Sequence, residues 1–155
     1  MKTYDIVSHV SIYAWDELSE VEKSLVSKAK EACERSYAPY SQFNVGAALL
    51  TDKDHIVIGC NQENPATPSG LCAERTAVFA AGAQYPDEAP IMLALAAYTE
   101  GDFTNYHIVP CGACRQVISG VRQRFGKPIR ILMYGKDGTH VVEDIDAILP
   151  MQFEL

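Results

Sequence analysis

The sequence lacks the features of secreted, membrane and nucleic-acid-binding proteins. No apolar run approaches the roughly 20 residues that a membrane-spanning helix needs, and residues 1–9 lack the apolar segment of a signal peptide. Basic residues are also few, 13 against 20 acidic residues, so the formal net charge is −7. An acidic chain without a basic cluster is poorly suited to holding a polyphosphate backbone. We therefore expect a cytoplasmic protein with no nucleic acid and no membrane as partner.

Cysteine is scarce and odd in number. The 155 residues include five cysteines, and a chain without a secretion signal is expected to keep its thiols reduced. In that setting an odd count favours metal binding over disulfides. The length is that of one domain, so we predict a single domain over residues 1–155, with residues 1–15 as an N-terminal extension across the surface.

Hydrophobic periodicity predicts an α/β fold. Ser19 and Glu22 form a capping box that begins a helix ending before Pro39, and polar turns join two pairs of apolar runs into hairpins. We expect a three-layer α/β/α domain around a mixed sheet of about five strands. The predicted helices are 19–38, 71–82, 111–125 and 143–149, and the predicted strands are 43–50, 56–60, 91–98, 129–134 and 139–142, with a loop at 101–109.

Three cysteines and a glutamate carry the chemistry of the sequence. Cys72-x-Glu74 begins one predicted helix, and Cys111-x-x-Cys114 begins the next. The free N–H groups and positive end of a helix stabilise thiolates at that position. A catalytic zinc site uses three protein ligands and leaves the fourth position to water. The sequence therefore predicts a Zn²⁺ site at the three cysteines, with Glu74 within reach of the water.

Two arginines and two further cysteines bear on this site. Arg75 and Arg115 each follow a site residue, and we expect both to donate to ligand sulfurs and offset the negative charge of three thiolates. Cys33 or Cys60 could supply a fourth ligand and close the site, although their apolar surroundings favour buried packing. Glu74 in a closed, structural site would only be a helix-start glutamate near the helix dipole.

Five segments extend the pattern over most of the chain: Tyr37–Leu50, Gly59–Asn64, Gly70–Ala77, Pro110–Gln116 and Leu149–Phe153. With these segments the chain resembles the cytidine deaminases of the small free-nucleoside type, over residues 19–155. Zinc deaminases carry a Pro-Cys-x-x-Cys signature and a glutamate general acid/base. The resemblance implies a cytidine deaminase-like domain and a hydrolase that deaminates cytidine and 2′-deoxycytidine to uridine and 2′-deoxyuridine in pyrimidine salvage.

The resemblance also implies a role for each matched residue. Glu74 would move protons between the water and N3 of the pyrimidine, and one zinc ion per subunit would be ligated by Cys72, Cys111 and Cys114. Phe153 would reach into a neighbouring subunit of a homotetramer, which would make the active sites composite. The nucleoside itself would be bound by Phe43 against the base, by the backbone around Ala73 and Cys111 at the base edge, and by Asn61 and Glu63 at the ribose 3′-hydroxyl.

One segment departs from the family pattern. Where the family often has Glu-Asn-Ala-x-Tyr, this chain has Pro65 and Thr67 in place of the alanine and the tyrosine. Pro65 removes a backbone donor and Thr67 lacks an aromatic face, so the sugar preference stays open. Another amino-heterocycle such as blasticidin S is therefore an alternative substrate. A non-catalytic zinc-stabilised domain is a second alternative, although it would have no use for Glu74, Asn61 and Glu63 together.

Overall fold

One mixed sheet and three α-helices organise the computed structural model, which describes residues 1–153. The strands are β1 (Ser11–Tyr13), β2 (Asn44–Thr51), β3 (Ile56–Cys60), β4 (Pro90–Thr99), β5 (Asp102–Phe103), β6 (Arg130–Met133) and β7 (Thr139–Val142). The helices are α1 (Glu20–Cys33), α2 (Ala73–Gln84) and α3 (Gly112–Phe125). Within residues 1–153, no helix has both the length and the apolar character that crossing a membrane requires.

The sheet order brings the starts of α2 and α3 to the same edge. The strands follow the order β1-β7-β6-β4-β2-β3, with β5 paired to β4. β3 and β4 are both antiparallel to β2, so they run parallel to each other, and β4 and β6 pair in parallel. Helix α2 connects β3 to β4, and α3, with the short β5 before it, lies between β4 and β6 in the chain. Both helices therefore begin beyond the carboxyl ends of parallel strands, where open α/β sheets bind ligands.

Helices cover both faces of the sheet, which confirms the predicted three-layer α/β/α architecture. Helix α1 packs on one face through Leu25, Val26 and Ala29, whereas α2 and α3 pack on the other through residues such as Ala77 and Ile118. Strand β4 lies between the two layers, and its residues 93–97 are all fully buried. Such a run without polar alternation is typical of a strand that is covered on both faces.

Local chemistry explains where α1 begins and how closely α2 approaches the sheet. The Ser19 hydroxyl accepts the Glu22 N–H at 3.3 Å, while the Glu22 carboxylate accepts the Ser19 N–H at 2.8 Å, which is the predicted capping box. At Gly59 of β3, a Cβ atom would lie 2.4 Å from the Ala77 nitrogen and 2.5 Å from the Ala73 oxygen. Glycine therefore lets the first turns of α2 rest directly on β3.

Three elements differ from the prediction. The sheet has seven strands instead of about five, because β1 and β5 are too short to show a hydrophobic period, and β5 lies within the predicted loop 101–109. The predicted helix 143–149 is only a 3₁₀ turn, Ile145–Ala147, because Pro150 disfavours helical geometry at the residue before it. Residues 1–10 are exposed, and β1 pairs with β7. Residues 154–155 of the predicted domain lie outside the described residues.

Candidate active site

Three thiols meet where α2 and α3 begin side by side. Cys72 is the residue that caps α2, Cys111 caps α3, and Cys114 lies in the first turn of α3. The Sγ atoms of Cys72 and Cys111 are 3.8 Å apart, and those of Cys111 and Cys114 are 3.4 Å apart. All three sulfurs lie within 4.8 Å of one another. The fold therefore gathers the three predicted ligands into one cluster.

The spacing of the sulfurs fits a zinc ion. With Zn–S bonds of about 2.3 Å, two thiolates of a tetrahedral site lie about 3.8 Å apart, close to the observed separations. Neither remaining cysteine joins the cluster, because the Cys33 thiol faces the Ala96 carbonyl at 3.5 Å and the Cys60 thiol faces the Arg35 carbonyl at 3.2 Å. Among the described residues the cluster holds three ligand groups, the number that an open, catalytic site uses.

The two predicted arginine contacts have different outcomes. Arg75 Nη2 lies 3.6 Å from Cys72 Sγ, as expected for residues three apart at a helix start. The prediction for Arg115 is wrong, because its guanidinium donates to the Pro110 and Ile148 carbonyls, each at 2.7 Å. Arg115 follows Cys114 directly, so the helical rotation turns its side chain away from the sulfurs. It instead ties the start of α3 to the C-terminal segment.

The thiols of the cluster differ in acidity. Hydrogen bonding to the Cys114 thiol is the main cause that lowers the pKa of Cys72 to about 5; burial opposes it, while Arg75 and Cys111 assist. The same hydrogen bond, with burial and the nearby charges of Glu74 and Cys72, raises the pKa of Cys114 above its usual range. Of these two thiols, the more acidic is therefore Cys72, which Arg75 contacts.

Glu74 is a buried carboxyl beside this cluster. Its side chain is in the first turn of α2, and only 5% of the residue is exposed. Burial raises the pKa of Glu74 to about 7 and the Cys72 charge adds to the increase, whereas hydrogen bonds to its own backbone N–H and to Cys114, together with Arg75, oppose it. A carboxyl that titrates near neutral pH suits general acid/base work.

Two adjoining cavities open at the cluster. The inner cavity, about 440 Å³, is lined by Glu74, Cys72 and Cys111 and by the predicted residues Phe43, Asn61 and Ala73. The outer cavity, about 770 Å³, shares Asn61 and Cys72 with it and is lined by Glu63 and Arg75. Both volumes are in the range of small-molecule sites. The outer cavity also includes Tyr40, Ser41, Gln62, Asn64, Pro65, Thr67, Gly70 and Leu71.

Asn61 is held by its own chain but keeps one donor. Its Oδ1 accepts the Val45 N–H at 2.8 Å and the Ser36 hydroxyl, and its Nδ2 donates to the Phe43 carbonyl at 2.9 Å. A side-chain amide has two N–H donors. One N–H of Asn61 is therefore left over for a ligand at the junction of the two cavities.

Glu63 faces the turn before β2. Its carboxylate accepts the backbone N–H groups of Tyr40 at 2.8 Å and Ser41 at 3.2 Å, and it also accepts the Ser41 hydroxyl. The Ser41 hydroxyl is the main cause that holds the pKa of Glu63 below its usual range, with help from the two backbone donors and against desolvation. The wall of the outer cavity thus carries a carboxylate that is negatively charged at neutral pH.

The sequence model described as "Cytidine and deoxycytidylate deaminase zinc-binding region" matches residues 19–125. The chain belongs to this family. It is 48% identical over 100 residues to a cytidine deaminase of Sporosarcina psychrophila, which covers 64% of this chain and 68% of the relative. It is also 41% identical over 95 residues to a cytidine deaminase of Halalkalibacterium halodurans, covering 61% of this chain and 67% of the relative.

Solved structures of cytidine deaminases share the fold. The enzyme from Burkholderia pseudomallei matches with a TM-score of 0.71 and 36% identity, over 88% of this chain and 100% of that chain. The enzyme from Mycobacterium tuberculosis matches with a TM-score of 0.66 and 32% identity, over 85% of this chain and 96% of that chain. The predicted family and fold class are therefore confirmed.

Phe153 lies apart from the cavities of its own chain. It is 67% exposed, and it lines neither the inner nor the outer cavity. Its carbonyl accepts the side-chain amides of Gln123 at 3.3 Å and Gln116 at 3.5 Å, which holds the segment against α3. The predicted role of Phe153 therefore depends on a second subunit.

Five residues of the inner cavity were missed in the sequence: Val45 and the loop residues Tyr106, His107, Ile108 and Val109. This loop rests on the β6–β7 hairpin, because the Lys136 N–H donates to the Thr104 carbonyl at 3.0 Å and the His107 ring stacks on His140 at 3.5 Å between centroids. A Cβ atom on Gly135 would lie 2.6 Å from the Asn105 carbonyl oxygen. The available signal was two aromatic rings in the loop directly before Pro110-Cys111.

Proposed function

We propose that this chain is a zinc-dependent cytidine deaminase that hydrolyses cytidine and 2′-deoxycytidine to uridine and 2′-deoxyuridine, releasing ammonia. The observation that carries the proposal is that the buried Glu74 carboxyl opens onto the same inner cavity as Cys72 and Cys111 of the three-thiol cluster. A structural zinc site has no need of a buried acid beside an open cavity. Family membership and the cytidine deaminases among its relatives support the same activity.

Cys72, Cys111 and Cys114 would hold one zinc ion per subunit. A bound zinc ion supplies the Lewis acidity that makes water a nucleophile near neutral pH. Three thiolates carry more negative charge than such a site benefits from, and Arg75 beside Cys72 offsets part of it. The cysteines would therefore determine where the metal binds, and Arg75 would reduce the net negative charge of the thiolates.

Glu74 would move the protons of the reaction. Its carboxylate takes a proton from the attacking water and delivers it to N3 of the base while the water oxygen bonds to C4. It then carries the second proton of the water to the departing amino group, so that the C4–N4 bond breaks and ammonia leaves. The balance is one nucleoside and one water consumed for one uracil nucleoside and one ammonia formed.

The remaining predicted residues would hold the nucleoside. Phe43 and the backbone at Ala73 line the inner cavity, so they would contact the base and its edge. The free N–H of Asn61 and the carboxylate of Glu63 would bind the 3′-hydroxyl, which ribose and deoxyribose share. No residue in this arrangement is assigned to the 2′-hydroxyl, so we expect both sugars to be accepted despite Pro65 and Thr67.

The proposal includes a cytoplasmic homotetramer that serves pyrimidine salvage. An exposed Phe153 that lies outside the cavities of its own chain supports a composite site, in which the ring contacts the cavity of a neighbouring subunit. All five cysteines are free thiols, which suits a reducing compartment. Light scattering after size-exclusion chromatography measures the assembly, and a monomeric protein would overturn this part.

An ultraviolet assay of the purified, zinc-loaded protein tests the function. We expect the absorbance spectra of cytidine and of 2′-deoxycytidine to change to those of the uracil products, with one ammonia released per product molecule. Blasticidin S is assayed in parallel as the rival substrate. Absence of turnover with both nucleosides, in protein holding one zinc per chain, would overturn the proposal, and deamination of blasticidin S alone would establish the rival.

A further inference from the structure

One hydroxyl connects the two residues proposed to contact base and sugar. Ser41 Oγ donates its proton to the Glu63 carboxylate, and the same oxygen accepts the Phe43 N–H at 3.1 Å. A hydroxyl has one donor and two acceptor lone pairs, so it makes both bonds at once. Glu63 lines the outer cavity and Phe43 lines the inner one. Ser41 therefore stands between the two halves of the site.

The orientation of Glu63 depends on the turn that contains Ser41. Its carboxylate accepts the Tyr40 N–H at 2.8 Å, the Ser41 N–H at 3.2 Å and the Ser41 hydroxyl. Hydrogen bonds to an ionised carboxylate are stronger than neutral ones, so the hydroxyl is a substantial part of this anchor. Of the three donors, the hydroxyl is the one that also accepts the Phe43 N–H.

The backbone between Ser41 and Phe43 is strained. Gln42 has a φ of 54°, a left-handed conformation that a non-glycine residue keeps only when its surroundings determine it. The Gln42 N–H donates to the Ala38 carbonyl at 2.9 Å, and the bond from the Phe43 N–H to Ser41 Oγ spans this residue. Without the hydroxyl, the backbone that places Phe43 at the inner cavity would lose one of the hydrogen bonds that fix it.

We propose that Ser41 is a positioning residue for nucleoside binding, holding the Glu63 carboxylate and the Phe43 ring at a fixed separation that matches the sugar and base of one nucleoside. This inference rests on the proposed function. The Ser41 residue is exposed, so its loss leaves no buried void. Glu74 and the thiol cluster make none of these contacts. The effect should therefore fall on substrate binding and leave the chemical step nearly unchanged.

Steady-state kinetics of Ser41→Ala test the proposal. We expect KM for cytidine to rise about tenfold, the scale of one lost charge-assisted hydrogen bond, while kcat stays within about threefold. Ser41→Thr retains a hydroxyl and should restore KM to within about threefold of the parent value. Ser69→Ala is the matched control, because Ser69 is exposed like Ser41 but lines neither cavity. This change should leave both constants unchanged.

A substrate without the 3′-hydroxyl separates positioning from general loosening of the fold. With 2′,3′-dideoxycytidine, Glu63 has no sugar hydroxyl to bind, so the KM penalty of Ser41→Ala should shrink. Ser41→Ala and Glu63→Gln should also be strongly non-additive toward cytidine. An equal penalty with both substrates, or full additivity of the two changes, would show that Ser41 does not act through Glu63 and would overturn the proposal.

The wild-type protein distinguishes the two possible failures. If it turns over cytidine while Ser41→Ala has an unchanged KM, the positioning role is wrong and the proposed function stands. If the zinc-loaded wild type turns over neither nucleoside, the proposed function fails and the positioning role fails with it. Zinc content and melting temperature, measured on every variant, ensure that the compared proteins are equally folded and loaded.

Discussion

Two walls of the inner cavity differ in construction. One wall is formed at the starts of α2 and α3, where Ala73 is fully buried and Glu74 is 5% exposed. A second wall is the loop from Tyr106 to Val109, whose end residues are 60% and 47% exposed. The helix wall rests on the sheet through Gly59, whereas the loop wall rests on the β6–β7 hairpin through backbone hydrogen bonds and the stacking of His107 on His140.

The two walls therefore have different roles: the helix wall holds the reacting groups, and the loop wall shapes the cavity. Groups that must hold a metal and move a proton need fixed positions, and helices packed on a sheet provide them more accurately than loops. A loop that closes another side can vary in sequence without disturbing those groups. We therefore expect changes in the helix wall to remove the reaction, and changes in the loop wall to alter binding while zinc is retained.

The largest effect on zinc binding and turnover is expected from Cys114→Ser in the helix wall. Cys114 is fully buried in the cluster, and a hydroxyl is a poor replacement for a thiolate at zinc. Zinc affinity should fall by more than about a hundredfold, and turnover should become undetectable. Cys33→Ser is the control, because Cys33 is a buried thiol on α1 at the other face of the sheet. Elemental analysis should find one zinc per chain in the control, and the same value in Cys114→Ser would refute the ligand assignment.

The next effect is expected from Glu74→Gln. The amide preserves the shape of the side chain but cannot transfer the proton, so kcat should fall about 10²- to 10⁴-fold while zinc is retained. Glu88→Gln is the control, because Glu88 is also buried but binds Thr51 and His55 away from both cavities. Near-normal turnover of Glu74→Gln would exclude the carboxyl as the proton carrier.

A smaller effect is expected from Gly135→Ala, which disturbs the loop wall. The new methyl group would lie 2.6 Å from the Asn105 oxygen and 2.7 Å from the His107 nitrogen, so the loop must move. We expect KM for cytidine to rise about tenfold, zinc to be retained, and stability to fall by about 1–3 kcal/mol. Gly120→Ala on α3 is the control, because its methyl group meets no atom within 4 Å. An unchanged KM in Gly135→Ala would show that the loop does not shape the cavity.

The smallest effect is expected on the pH dependence of protein stability, through His107 in the loop wall. Burial, and then the neighbouring His140, lowers the pKa of His107, so the unfolded chain binds this proton more readily than the folded protein does. The resulting stability is complete above the unfolded pKa of about 6.5 and is lost as the pH falls through the lower folded pKa. His107→Phe keeps an aromatic ring for the stack but cannot titrate. Urea unfolding at pH 7.5 and 5.5 should show a smaller loss of stability in the variant than in the wild type, and equal losses would refute this role.

The helix wall could be predicted because its signals are local. A Cys-x-x-Cys step and a Cys-x-Glu step each lie within one helical turn, so their relative placement follows from helix geometry alone. The outcome for Arg115 is different: its partner carbonyl at Ile148 lies far along the chain, and no local pattern reveals that contact. The short strands β1 and β5 were missed because three and two residues carry no period.

The amino-acid sequence is enough to assign the family, the three-layer α/β/α class, the three thiols and the acid beside them, because each depends on residue type and short spacing. The folded chain was needed to show that Tyr106 to Val109 line the inner cavity, that Arg115 reaches the Ile148 carbonyl, and that Ser41 bonds Glu63. These contacts join residues far apart in the chain. The meeting of the α2 and α3 starts at one edge of the sheet is likewise long-range, because it follows from β3 and β4 running parallel.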